Sequence, residues 1–227
     1  MKTTPFFIAV MAIAASTIVA GCGGTKKTTD VNLTVQERIQ QQKLKEVDRM
    51  YKDKMAEYKQ EGWKLSGSSK TLEVALLEHY EKLYDAQTEN KELVGEVSQC
   101  QSINVCRQMA TNNALAHYAS LASSSVRGRI ASDVNADATR LQAEFDKMYA
   151  AYERLVSAEI RGVLTESYAI IKEEKQARQY KLFFVVNEEK AAAARIRALE
   201  RAAQETAVAQ QYATEITEFV REGFELE

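Results

Sequence analysis

Residues 179–187, QYKLFFVVN, hold an unbroken apolar run of aromatic and β-branched side chains from Leu182 to Val186. Successive side chains of a strand point to opposite faces, so a run apolar at every position reads as a strand buried on both sides. Residues 163–173, VLTESYAIIKE, share the β-branched and aromatic character, and the polar EKQAR that joins the two is of hairpin length. The pair reads as an antiparallel hairpin whose second member is a central strand. Such a strand needs cover on both faces, and the flanking sequence supplies helices.

After this strand, EEKAAAARIRALERAAQETA opens a closing helix expected over residues 188–221, with Ile196, Leu199, Val208, Ile216, Phe219 and Val220 in one apolar stripe. It either lies across the sheet or projects toward another subunit. Before the hairpin, residues 136–161 place Leu141, Phe145, Met148, Tyr152 and Leu155 at alternating intervals of four and three, a heptad seam. The seam packs within the domain or forms a contact surface for another protein; both readings stand, and these five residues are the candidate interaction surface. A further helix is expected over residues 105–134, with Gly128 inside it as a close-packing position or a break. Residues 92–100, ELVGEVSQC, read as a strand. Residues 34–60 recur apolar at Val35, Ile39, Val47, Met50, Tyr51, Met55 and Tyr58 and end at Gly62, as a helix would. Trp63 to Leu65 read as extended, SGSS as a turn with a serine cap, and residues 71–84 as a second amphipathic helix. The expected fold class is α+β: long amphipathic helices packed on a small antiparallel sheet of three or four strands.

The amino-terminal end has a different character. Lys2 precedes the apolar PFFIAVMAIAASTIVA, which is short for a spanning helix and closes on small residues, as a secretory signal does. The tetrapeptide Val19-Ala20-Gly21-Cys22 resembles the bacterial lipobox, in which the cysteine sulfur carries a diacylglyceryl group and cleavage falls just before it. Residues 1–21 are therefore expected to be signal peptide, residues 22–33 a lipidated cysteine with a flexible tether, and residues 34–227 a single helix-rich α+β domain. Covalent lipid on Cys22 is the one attached group expected, and two or more acyl chains anchor stably where one binds only marginally. Gly23 replaces the aspartate that retains lipoproteins in the inner membrane of enteric bacteria, which points to the outer membrane. Lys26 and Lys27 precede any acidic residue of the tether, which favours the periplasmic face, with surface display the second reading.

Without its signal the chain loses one of its 30 basic residues and none of its 32 acidic ones, leaving a net charge of −3. No basic surplus marks a nucleic-acid partner. The sole proline is Pro5, so the remaining roughly 200 residues can form long uninterrupted helices.

The stretches EGWKLSGSSKTLEVALLEHY, ELVGEVSQC, NNALAHYASLASSSVRGRIASDV and SYAIIKEEKQARQYKLFFVVNEEKAA resemble the LPP-twenty lipoprotein family, over about residues 59–193. The resemblance implies a long helix against a curved antiparallel sheet, an envelope location, and no catalytic residues to carry over. Some members of that family serve flagellar or envelope assemblies and others are surface antigens.

Chemistry has little to rest on in the sequence. His79 and His117 stand on different expected helices, with no cysteine or histidine at metal-ligand spacing, so each is expected on a helix face and no metal is expected. Ser123, Ser124 and Ser125 lack a G-x-S-x-G setting and suit close packing or a helix end. Glu144, Glu153 and Glu159 fall on expected solvated faces. No catalytic residue emerges and no enzyme is expected. Lipidation of Cys22 leaves two thiols, and Cys100 at a strand end and Cys106 in the next helix's first turn either pair as a disulfide or sit apart as buried small hydrophobes. The expected role is a non-enzymatic, lipid-anchored envelope module that engages envelope proteins or copies of itself. The alternative is a ligand-binding lipoprotein with an apolar pocket near Tyr168, Phe183 and Phe184.

Overall fold

The computed structural model describes residues 34–133, 138–174 and 177–205. The lipobox residues Val19, Ala20, Gly21 and Cys22, the tether, and the expected helix beyond residue 205 lie outside the described residues. The chain divides into two units, Met1–Gln41 and Gln42–Glu227.

In the first unit Thr34 opens helix α1 (Val35–Glu61) with a reciprocal cap. Its backbone N–H donates to Glu37 Oε2 at 2.7 Å, while the Glu37 N–H donates to Thr34 Oγ1 at 3.3 Å. Val35 and Ile39, expected in the apolar stripe, are exposed.

In the second unit α1 continues to Glu61 and stops at Gly62, whose φ of +80° is open to glycine at no steric cost. Strand β1 (Lys64–Leu65) follows, and helix α2 (Leu72–Leu83) is capped by Thr71, whose Oγ1 accepts from the Val74 N–H at 3.3 Å, rather than by a serine of SGSS. Strand β2 (Asn90–Cys100), helices α3 (Ile103–Asp133) and α4 (Ala138–Arg161), strands β3 (Leu164–Glu174) and β4 (Ala177–Asn187), and helix α5 (Glu188–Gln204) complete the order. Gly128 causes no break in α3.

The sheet is antiparallel in the order β1-β3-β4-β2, an α+β fold with β4 in the interior as its two-faced apolar run requires. Tyr180, Leu182, Phe184 and Val186 of β4 join a core with α3, α4 and α5. Phe183 turns the other way and joins Met55 and Tyr58 of α1, Leu76 and Tyr80 of α2, and Tyr168 and Ile170 of β3. Helix α3 lies against β2 at very short range: a Cβ on Gly95 would stand 1.9 Å from the Ala110 carbonyl oxygen. Only glycine permits that contact.

The α4 seam is core. Phe145, Met148, Tyr152 and Leu155, expected as the candidate interaction surface, are 6%, 0%, 0% and 4% exposed. The 3-4 spacing arises because α4 packs along α3 and α5 of its own chain, and a helix between two helices needs a stripe with that period. Position 141 belongs to α4, but the Leu141 side chain lies outside those described. Ser123 sits inside α3, buried, and its hydroxyl donates to the Tyr149 carbonyl at 3.5 Å, a packing role.

Candidate functional site

The polar cluster with the most chemical content lies on the α2 side of the sheet. His79 occupies the inner face of α2 and is fully buried. Its ring bridges two strands that do not touch, because β4 runs between β2 and β3. Nε2 is 2.7 Å from Glu92 Oε2 on β2, and Nδ1 is 3.0 Å from Ser167 Oγ on β3. An ionised carboxylate only accepts, so in the neutral ring Nε2–H donates to Glu92 and Nδ1 accepts the Ser167 O–H. Aromatic rings enclose the imidazole: Tyr168 edge-on at 5.1 Å, Tyr80 at 5.6 Å and Phe183 at 6.2 Å between centroids.

Ser167 is placed by a β-bulge. The β3–β4 register shifts between Glu166 and Tyr168, leaving Ser167 as the extra residue. Glu166 turns to the α3 side, where its Oε2 accepts from Arg107 Nε at 3.1 Å, while Ser167 and Tyr168 both turn toward α2. Without the bulge, strict alternation would send Ser167 or Tyr168 to the wrong face. Ser167 is half-buried, and the Glu92 side chain keeps 37% of its exposure.

Around this chain the tyrosines are held as neutral phenols. Tyr58 and Tyr168 share a buried hydroxyl–hydroxyl hydrogen bond of 3.1 Å. Burial, reinforced by the Glu92 carboxylate, pushes both above the usual tyrosine range and pushes Tyr80 up to about 12.

The other expected sites have different fates. Cys100 and Cys106 are joined by a disulfide with a Cα–Cα distance of 5.3 Å, tying the end of β2 to the first turn of α3. Tyr168 and Phe183 stack at 4.2 Å between centroids, and with Phe184 they are buried among neighbouring side chains. An open groove between α3 and α4, lined by Ala116, Ala119, Ala150 and Ser157, lies away from that position. Arg195 of α5 is wholly buried and donates from Nη2 to Glu188 Oε1 and from Nη1 to the Tyr118 hydroxyl, each at 2.5 Å, which ties α5 to α3. No group of acidic, cysteine and histidine side chains arranged to hold a metal occurs among the described residues.

Sequence reading missed the His79 cluster because its members lie 13 and 88 positions from the histidine and no local motif joins them. The one available signal was a histidine between Leu76 and Tyr80, apolar positions of α2, which places it near the buried face. Fold and site together define a helix-rich α+β protein with a serine–histidine–glutamate chain at a sheet bulge. Comparison with known protein families, characterised proteins and solved structures finds no match to this chain.

Proposed function

We propose that this protein is a lipid-anchored component of a bacterial envelope, held in the outer membrane through Cys22, whose α+β domain engages envelope proteins or further copies of itself. The observation that carries the reading is the tetrapeptide Val19-Ala20-Gly21-Cys22 at the end of a short apolar run. The Cys100–Cys106 disulfide supports it, since such bonds persist in exported, oxidising compartments. The resemblance to LPP-twenty lipoproteins points the same way. With the α4 seam in the core, contact surface is supplied instead by the exposed apolar residues Val74 and Leu77 on α2 and Ile103, Val105 and Met109 at the start of α3. No helix among the described residues is long and apolar enough to cross a membrane, so attachment in this reading falls to the lipid.

In-cell crosslinking of the native protein, fractionated into membrane and soluble pools beside a Cys22→Ser variant, tests this. The native chain is expected in the outer-membrane fraction with acyl mass on Cys22 and specific crosslinked partners, and the variant is expected to lose both. A Cys22→Ser chain that still sediments with the outer membrane would overturn the anchoring.

A further inference from the structure

We propose that Ser167 is an activated nucleophile that accepts an acyl group from an ester whose leaving group departs as a stable anion, with His79 as its base and Glu92 as the positioning residue. The inference goes beyond the anchoring reading, which assigns the domain no chemistry, and does not rest on it.

The geometry carries the argument. Nδ1 of His79 stands 3.0 Å from Ser167 Oγ and Nε2 stands 2.7 Å from Glu92, so one neutral ring links hydroxyl to carboxylate in the arrangement that a base-assisted serine requires. The bulge that turns Ser167 toward α2 leaves it half-buried at the sheet surface. His79 has no exposed surface, yet for bond formation it needs to touch only Ser167 and Glu92.

In the step itself, the Oγ lone pair forms a bond to the ester carbonyl carbon while the Oγ proton passes to Nδ1. The bond from that carbon to the leaving group breaks, and its electron pair departs with the leaving group. The imidazolium sheds its Nε2 proton through Glu92, whose 37% exposure gives the proton a way to solvent. A ring closed to solvent cannot protonate a poor leaving group or activate a water. The acyl donors that fit are therefore aryl esters and thioesters, which release phenolate or thiolate, and the product is a lasting acyl-Ser167. The site is built to be modified once.

The test uses the purified full chain with p-nitrophenyl acetate, following nitrophenolate release and mapping the acetyl group by peptide mass spectrometry. The expected result is one equivalent of nitrophenolate and acetyl on Ser167, absent in Ser167→Ala and in urea-unfolded chain. Glu92→Gln is expected to slow bond formation at saturating ester by about 100-fold, in the range of base assistance, with the ester's apparent affinity and the melting temperature unchanged. Acetylation spread over lysines and His117 alike in native and Ser167→Ala chains, or an unchanged rate in Glu92→Gln, would overturn the proposal.

Discussion

At the scale of single residues, the buried phenols set the alkaline limit of this protein. Burial first and Glu92 second push Tyr80 up to about 12, and burial pushes Tyr149 up to about 12 against the lowering effect of Arg127, which lies 4.5 Å from its ring centre. Burial raises Tyr58, Tyr152 and Tyr168 further. For an acid whose folded value is raised, the stabilising contribution is complete below the unfolded value, about 10 for tyrosine, and is lost as pH climbs through the folded value. A phenolate absorbance titration run beside circular dichroism is therefore expected to show Tyr80 and Tyr149 ionising near pH 12 together with loss of the fold, whereas urea-unfolded chain ionises near pH 10. Full ionisation of all tyrosines near pH 10 with the fold intact would contradict this account. His79 belongs to the same scale: its residue type and its place near the apolar stripe of α2 were visible in the sequence, but both of its partners were not.

At the scale of elements, α4 carries the sharpest lesson. Its heptad of Phe145, Met148, Tyr152 and Leu155 fits a subunit interface and an internal seam equally well, because spacing specifies a stripe and not what covers it. Burial between α3 and α5 assigns it to the core. The Tyr152 hydroxyl is buried without a hydrogen-bond partner among the described residues, so the ring carries the stabilising contact. Tyr152→Phe is expected to change stability by less than about 1 kcal/mol. Tyr152→Ala is expected to lose about 3–5 kcal/mol by opening a cavity. Denaturant unfolding of the purified domain measures both, and a large loss in Tyr152→Phe would show that the hydroxyl is satisfied after all. Element boundaries were largely legible: the stops at Gly62 and the switch from period 2 to helical spacing at Glu188 follow from local chemistry. Thr71 took the cap expected of a serine because it is the last β-hydroxyl residue before the first apolar turn of α2.

At the scale of the whole molecule, the sheet separates two cores, one under α1 and α2 and the other under α3, α4 and α5. The Cys100–Cys106 bond fixes where α3 leaves β2, and the absent side chain of Gly95 lets α3 settle onto that strand. Closing so short a loop stabilises the fold by about 2 kcal/mol in the chain-entropy model. Reduction in the native protein is therefore expected to lower the melting temperature by about 4–8 °C. Calorimetry with and without reductant reads this directly, and an unchanged melting point would show that packing alone holds the strand–helix corner. Tyr168, Phe183 and Phe184, near which the alternative reading places an apolar ligand, are buried, and the two adjacent phenylalanines serve opposite cores of the strand they share.

By itself the sequence determined the α+β class, the central place of the LFFVV strand, and the presence and order of the described helices. Those properties follow from periodicity, caps and breakers acting within a few residues of one another. The tertiary structure alone decided that the α4 seam faces inward, that Cys100 and Cys106 bond, and that Ser167, His79 and Glu92 meet across β4. Each of those depends on a distance between residues brought together by strand order and by one bulge, and no local pattern encodes such a distance.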